Sequence, residues 1–183
     1  MSNLEKYLKL IGKQEEVKER EITVIRNPNL EKICRSYEKW LGSLRIERQD
    51  WKDLYDHALK TYSKKEYTSK DIEDFSVELL KYKGKKHFEK TGLFLSALIN
   101  SSKDKEFTIL TEHLAQRINF IGYCNKKIVN VKGNVGNYVG LSNKGTISVK
   151  GKIKLLSKDA NYYQTSKIYE KGKLIVSNRR IMK

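Results

Sequence analysis

The chain has 183 residues, 38% of them hydrophobic and 33% charged, with a formal net charge of +16 and two cysteines. That length fits one domain or two small ones, and the apolar share is enough for a modest core, which excludes wholesale disorder. Cys34 and Cys124 lie far apart with no Cys or His at ligand spacing, which excludes a spaced metal motif and reads as reduced thiols.

Residues 1–18 alternate apolar residues with charges, unlike a secretory leader, and the longest apolar patch, 92–99, is too short to span a bilayer. The expectation is a cytoplasmic protein without membrane contact. Leu4, Tyr7, Leu8 and Ile11 recur at helical spacing behind Ser2 and Asn3, and Gly12 can stop that helix. Ile22, Val24 and Ile25 form a short strand or extended linker. Pro28 suits a helix start, and Leu30, Ile33, Cys34, Tyr37, Trp40 and Leu41 then make one stripe ending at Gly42. A third helix begins near Asp50 and lines up Trp51, Leu54, Tyr55, Ala58, Leu59 and Tyr62. A fourth follows Thr68 or Ser69 and carries Ile72, Phe75, Leu79 and Leu80 toward Gly84. Its acidic first turn of Asp71, Glu73 and Asp74 complements the helix dipole. Aromatic stripes at this spacing read as core in preference to a base-stacking platform. His57, His87 and His113 have no partner at ligand spacing and read as packing or surface residues.

The second half contains an internal repeat. Residues 121–135 align with 139–153 at an offset of 18, and six of fifteen positions are identical: Gly122/Gly140, Asn125/Asn143, Lys126/Lys144, Val131/Val149, Lys132/Lys150 and Gly133/Gly151. Repetition at such a period indicates stacked copies of one unit. Val129-Asn130-Val131-Lys132 and Ile147-Ser148-Val149-Lys150 alternate apolar and polar, as half-buried strands do. The glycines mark corners, and Asn125 and Asn143 form an asparagine ladder. Segments 92–99, 107–110 and 118–120 are candidates for an irregular coil before the repeat, and 168–169 and 173–176 for a closing strand pair around Gly172. The reading is an α+β chain: a helical region over 1–84, a small parallel β-solenoid (β-helix) with 18-residue coils over 85–176, and a basic tail over 177–183. The helices would cover one end of the solenoid.

Gly133-Asn-Val-Gly-Asn-Tyr-Val-Gly140, followed by Gly145-Thr-Ile-Ser-Val-Lys-Gly151, resembles the GXGXG-type β-helix domain. That domain forms the C-terminal part of the glutamate synthase large subunit and much of one of the subunits of formylmethanofuran dehydrogenase. The resemblance covers about residues 121–153, extending to 92–176 if the flanks are degenerate coils. It implies a scaffolding role, or that of an accessory subunit in a redox or amidotransferase complex, with no catalytic residue carried over and no cofactor implied.

The charge is uneven. Residues 1–90 hold 21 Lys+Arg against 17 Asp+Glu, and residues 91–183 hold 17 against 5. Lys126 aligns with Lys144 and Lys132 with Lys150. With Lys127 and Lys152 these are the polyanion-binding candidates, extended by Lys154, Arg179 and Arg180, with Tyr123, Tyr138, Tyr162 and Tyr163 as possible stacking groups. Repelling edge pairing is the competing explanation for these lysines. Cys124 aligns with Ser142 at a turn, which points to a need for a small residue, not a nucleophile. No catalytic, cofactor-binding or metal-binding constellation emerges. Two readings stay open: a non-catalytic scaffold with a protein partner, and a basic protein that binds nucleic acid or another polyanion. Oligomeric state is not readable.

Overall fold

The computed structural model describes residues 27–44, 50–62, 67–156, 166–177 and 180–181. The expected first helix, the segment around Ile22 and the residues Tyr162, Tyr163 and Arg179 lie outside the described residues.

Among the described residues, three amphipathic helices come first: α1 (Pro28–Ser43), α2 (Trp51–Tyr62) and α3 (Ser69–Glu78), the last running into a 3-10 turn at Leu79–Tyr82. The first and third begin at local caps. Asn27 caps α1 by accepting from the Asn29 N–H at 2.9 Å, with Pro28 at the first helical position. Thr68 and Asp71 form a reciprocal capping box on α3. Asp71 does more than complement the dipole. It is buried, and it also accepts from Asn27 Nδ2 at 2.5 Å, which ties the start of α1 to the start of α3. The stripes meet in an aromatic core of Tyr37, Trp40, Phe75 and Phe94, with Tyr37 edge-on to Phe75 at 5.3 Å and to Phe94 at 5.2 Å.

The helix α4 (Thr91–Ser101) occupies the segment expected to be an irregular coil, and every residue from Thr91 to Ile99 is buried. A helix enclosed on all sides has no polar face, so its period vanishes from the sequence and an apolar run of eight reads equally as a strand. A short 3-10 turn, Phe88–Lys90, leads into it.

Among the described residues, eight strands follow: β1 (Glu106–Leu110), β2 (Ile128–Lys132), β3 (Val135–Asn137), β4 (Thr146–Val149), β5 (Ile153–Leu155), β6 (Lys167–Glu170), β7 (Lys173–Ser177) and β8 (Arg180–Ile181). The expected parallel β-solenoid is not formed. The strands make one mixed sheet in the order β1-β2-β4-β6-β7-β8 and a separate two-stranded sheet, β3-β5. The offset of 18 governs only the two repeated pairs, β2 with β4 (Ile128 opposite Thr146) and β3 with β5 (Val135 opposite Ile153). β1 meets β2 at an offset of 22, Glu106 opposite Ile128, and β6 meets β4 at 21, Thr146 opposite Lys167. β7 and β8 then run antiparallel. A stack of coils needs each circuit to repeat its corners, whereas here the circuit recurs once and a hairpin reverses the chain.

The inward row Phe107-Val129-Ile147-Ile168-Val176 crosses five strands and is fully buried, with Ile109, Val131 and Val149 forming the next row. Helix α3 covers the outer edge of β1, where the Ser76 hydroxyl accepts from the Leu110 N–H at 3.0 Å. An edge so covered cannot pair with another strand. Among the described residues, no helix is long and apolar enough to cross a membrane.

The buried tyrosines give the protein an alkaline limit. Burial pushes Tyr37, Tyr55, Tyr82 and Tyr123 above their usual 10.0, and pushes the Cys34 and Cys124 thiols above their usual 9.0. These groups stay protonated in the folded chain at a pH where the unfolded chain has lost those protons. The unfolded state then binds fewer protons, so stability falls as pH rises above those usual values. Urea unfolding at about pH 8 and about pH 10.5 should show a clearly lower midpoint at the higher pH. An equal midpoint would mean the tyrosines are not buried.

Candidate polyanion-binding face

The face is assembled from two repeated corners and the strands that follow them. In each corner a buried asparagine closes a loop on itself. Asn125 Oδ1 accepts from the Lys127 N–H at 2.9 Å while its Nδ2 donates to the Lys127 carbonyl at 2.8 Å. Asn143 makes the same pair of bonds with Gly145, at 2.9 and 3.0 Å. Asn125 Nδ2 also donates to Asn143 Oδ1 at 3.0 Å, so the two corners are stitched together. Both asparagines are wholly buried, and bonds in such surroundings hold a corner rigid. Gly122 and Gly140 occupy matching positive-φ positions in the turns that precede them.

Helix α4 fixes the first corner. Ser96 Oγ accepts from the N–H groups of Gly122 and Tyr123, each at 3.0 Å, and Asn100 Nδ2 donates to the Tyr123 carbonyl at 3.2 Å. Trp51 lies 4.8 Å from the rings of both Phe120 and Tyr138, which stack on each other at 5.2 Å, so α2 is pinned to the same turns.

These corners present Lys126 and Lys144 to solvent. Lys127 departs from them: its ammonium donates to the Ser102 carbonyl at 3.1 Å, which draws it off the face. At the far ends of the strands the outward residues line up. Lys132 is the partner of Leu110, the Lys150 N–H donates to the Val131 carbonyl at 2.9 Å, and the Lys171 N–H donates to the Val149 carbonyl at 2.8 Å. Three lysines therefore stand side by side, their backbones about 4.8 Å apart: Lys132 closes β2, Lys150 lies one residue past β4, and Lys171, at a φ of 50°, lies in the turn between β6 and β7. Lys132 is half-buried and the other two are exposed. The row turns immediately through Gly133, whose φ of 120° is a conformation that a side chain would strain. A Cβ there would also lie 2.3 Å from the Glu112 nitrogen. Gly151 stacks on it so closely that its own Cβ would lie 2.2 Å from the Gly133 carbonyl oxygen. Lys152 is exposed beyond this corner, its N–H held by Asn134 Oδ1 at 2.8 Å.

Sequence reasoning did not single out Lys171. Its signal is the dipeptide Lys171-Gly172, a third copy of Lys132-Gly133 and Lys150-Gly151 at the end of a strand. Tyr123 is not available for stacking, being buried against Tyr55 at a centroid distance of 5.0 Å, and Tyr138 is half-buried under Trp51.

Like charges at this spacing repel by roughly 1 kcal/mol per neighbouring pair in water, so the arrangement is mildly unfavourable unless counter-charge arrives. Among the described residues, no carboxylate lies within ion-pair distance of these lysines. Glu106 accepts from Asn130 Nδ2 at 2.7 Å and Glu170 from the Ile153 N–H at 2.7 Å. Among the described residues, the ion pairs are Arg35–Glu31, Lys52–Asp56, Lys70–Asp74 and Lys81–Glu78, all in the helical part. Also among the described residues, no cluster of three His, Cys, Asp or Glu side chains could hold a metal. Burial raises both cysteine pKa values, which disfavours the thiolate a nucleophile needs.

Two clefts lie among the described residues. One of about 410 Å³ lies among Glu38, Leu41, Gly42 and Tyr82, and one of about 520 Å³ lies among Glu89, Arg117, Asn137 and Lys154. Comparison of the chain with family models, curated proteins and solved structures finds no match, so a functional reading rests on this geometry.

Proposed function

We propose that the protein is a non-catalytic module that binds nucleic acid, or a polyanion like it, through Lys132, Lys150 and Lys171. The observation that carries the reading is the row itself: three lysines side by side where adjacent strands end, Lys132 closing β2, Lys150 just past β4 and Lys171 in the turn after β6, without ion-pair partners among the described residues. Such a row releases counterions when phosphates replace them, so affinity must fall with salt. Lys126 and Lys144, at the other end of the strands, lengthen the basic track. The uncharged outward residues between, Thr108, Asn130, Ser148 and Tyr169, offer hydrogen bonds to sugar or phosphate oxygens.

Three phosphate contacts on a single strand give a slope of log affinity against log salt of about −2, a loss of roughly 20-fold between about 50 and 200 mM salt. Changing Lys132, Lys150 and Lys171 together to glutamine should flatten that slope by about 2 while leaving the unfolding midpoint nearly unchanged. Fluorescence anisotropy with a labelled oligothymidylate measures both. Unchanged slope in the triple variant, or no binding at low salt, would sink the reading.

A protein-docking scaffold is the second reading, supported by the exposed apolar residues Ile128 and Leu155, at 43% and 47% exposure. Isolated exposed apolar residues are common on soluble surfaces, so this support is weaker. A partner captured on the protein that survives nuclease and is lost on changing Leu155 to serine would move the scaffold ahead.

A further inference from the structure

The tyrosines expected to stack on a ligand do not stand on the lysine face. Tyr123 is buried, Tyr138 is half-buried under Trp51, and Tyr162 and Tyr163 lie outside the described residues. Tyr169 does stand there. Its neighbour Ile168 belongs to the fully buried inward row, and β6 pairs with β4 in unbroken register, Ile147 opposite Ile168 and Ser148 opposite Tyr169. Successive side chains on a strand point to opposite faces, so Tyr169 lies on the outward face in one row with Ser148 and Asn130. Lys167, exposed on the same face, precedes it by two residues, about 7 Å along the strand. Lys171 follows it by two residues, and Lys150, two residues beyond Ser148 on the neighbouring strand, is a diagonal of about 8 Å away. The ring is thus set between cations whose spacing the register fixes.

Tyr169 is also unengaged. The hydroxyls of Tyr37, Tyr55 and Tyr82 are hydrogen-bonded to Thr91, Asn100 and Glu38, whereas among the described residues Tyr169 has no side-chain hydrogen bond and no ring partner. It is partly exposed, with Leu174 opposite it on β7. Among the outward strand residues described, the carboxylate is Glu106, which lies on β1 at the other edge and is held by Asn130. A cation row that tracks a phosphate backbone, with an aromatic ring open beside it, is the arrangement that takes unpaired bases. We infer that the polyanion bound by this face is single-stranded nucleic acid, one of whose bases stacks on Tyr169 while its phosphates follow Lys132, Lys150 and Lys171. The inference rests on the lysine-row reading and adds the substrate class to it. A duplex stacks its bases on one another and offers Tyr169 no free base, and a polyanion without bases gains nothing from the ring.

The test is fluorescence anisotropy of the full chain with labelled oligothymidylate, an abasic deoxyribose-phosphate oligomer of the same length, and a duplex of that length. At equal salt the parent should bind oligothymidylate about tenfold or more tighter than the abasic oligomer, the usual effect of one stacked base. Tyr169→Leu keeps an apolar side chain beside Leu174 and removes the aromatic face. It should bind both single strands as weakly as the parent binds the abasic one, with the salt slope still about −2 and the duplex affinity unchanged. Tyr169→Phe should keep the preference for oligothymidylate. A merely structural role for Tyr169 would instead weaken all three oligomers together and lower the unfolding midpoint, and that result overturns the inference. So does a parent that binds oligothymidylate and the abasic oligomer equally, although the lysine-row reading then survives on its salt slope. No binding of either at low salt overturns both.

Discussion

Replacing Gly92 with alanine is expected to lower the thermal unfolding midpoint by roughly 10 °C. Two effects oppose each other. Alanine in place of glycine inside a helix adds about 1 kcal/mol of stability through backbone entropy. Against this, the new Cβ would lie 2.0 Å from the Asn119 carbonyl oxygen, 2.6 Å from the Ile121 nitrogen and 2.7 Å from the Phe120 carbonyl carbon. All three are backbone atoms, so no side chain can swing away. Nor can the segment recoil freely. The Asn119 N–H donates to the Glu89 carbonyl at 2.7 Å, the Phe120 N–H to the Asn137 carbonyl at 2.9 Å, and the Ile121 carbonyl accepts from the Gly140 N–H at 2.9 Å. Overpacking of this kind costs about 1–3 kcal/mol or more, and with a pinned backbone about 4 is expected, for a net loss of about 3 kcal/mol. Gly42→Ala is the internal control. That glycine lies in α1 with nothing within 4 Å of the position a Cβ would take and no positive φ, so the same substitution should be neutral or stabilise by up to about 1 kcal/mol. Circular dichroism melts of both variants suffice. A Gly92→Ala midpoint at or above that of the parent would mean that α4 does not lie directly on residues 119–121.

Asn143→Ala carries the second large effect, a loss of about 3–5 kcal/mol. The substitution leaves the Gly145 N–H and carbonyl without their side-chain partner and removes the acceptor of Asn125 Nδ2, at a site where both asparagines are wholly buried and Gly145 is half-buried. Each buried group left unpaired costs about 1–3 kcal/mol, and relaxation of the loop recovers part of the sum. Asn143→Asp separates hydrogen bonding from size. An ionised aspartate accepts from Gly145 and Asn125, but turns a lone pair toward the Gly145 carbonyl where the amide had donated. Only the protonated acid restores that donor, so the folded pKa of this aspartate must be raised. Its stability relative to the parent should therefore fall as pH climbs through the usual aspartate range near 4, and guanidinium unfolding at about pH 4 and 7 reads it. A pH-independent difference would show that the Asn143–Gly145 carbonyl bond contributes nothing. The same corner sets Lys144, whose N–H donates to the Asn125 carbonyl at 2.7 Å, so an Asn143→Ala chain that still folds should also bind polyanion more weakly.

The repeat shows how far local pattern reaches. Residues matched by the repeat, Val129 with Ile147 and Val131 with Val149, are register partners in neighbouring strands. Identical alternation at identical spacing leaves each strand the same inward face to bury, and only that register buries both. The extrapolation from one repeated pair to a stack of coils fails because it assigns the flanks by need. Beyond 110 the chain passes through a long stretch of loop and turn before it reaches Ile128, and after Glu170 it doubles back through Lys171 and Gly172. For the candidate site, Lys126, Lys132, Lys144, Lys150 and Lys152 were legible because each follows or adjoins a strand in the repeat. Lys127 was legible as a charge and misleading as a contact, since the Ser102 carbonyl that captures it lies 25 residues away. The cleft with Asn137, Arg117, Glu89 and Lys154 had no signature, because its residues come from four separate segments.

The sequence by itself determined the amphipathic faces of α1 to α3, the helix starts at Pro28 and at Thr68 or Ser69, the pairing of the repeated strands and the concentration of positive charge in the second half. These features depend on neighbours within a few residues or on a copy of the same segment, and such information is written locally. Tertiary structure alone decided that residues 91–101 are a helix, that the sheet is mixed, that Tyr123 is buried and that Lys171 joins Lys132 and Lys150. Each of those depends on burial from all sides or on partners far along the chain, and both conditions erase the periodicity from which a sequence is read.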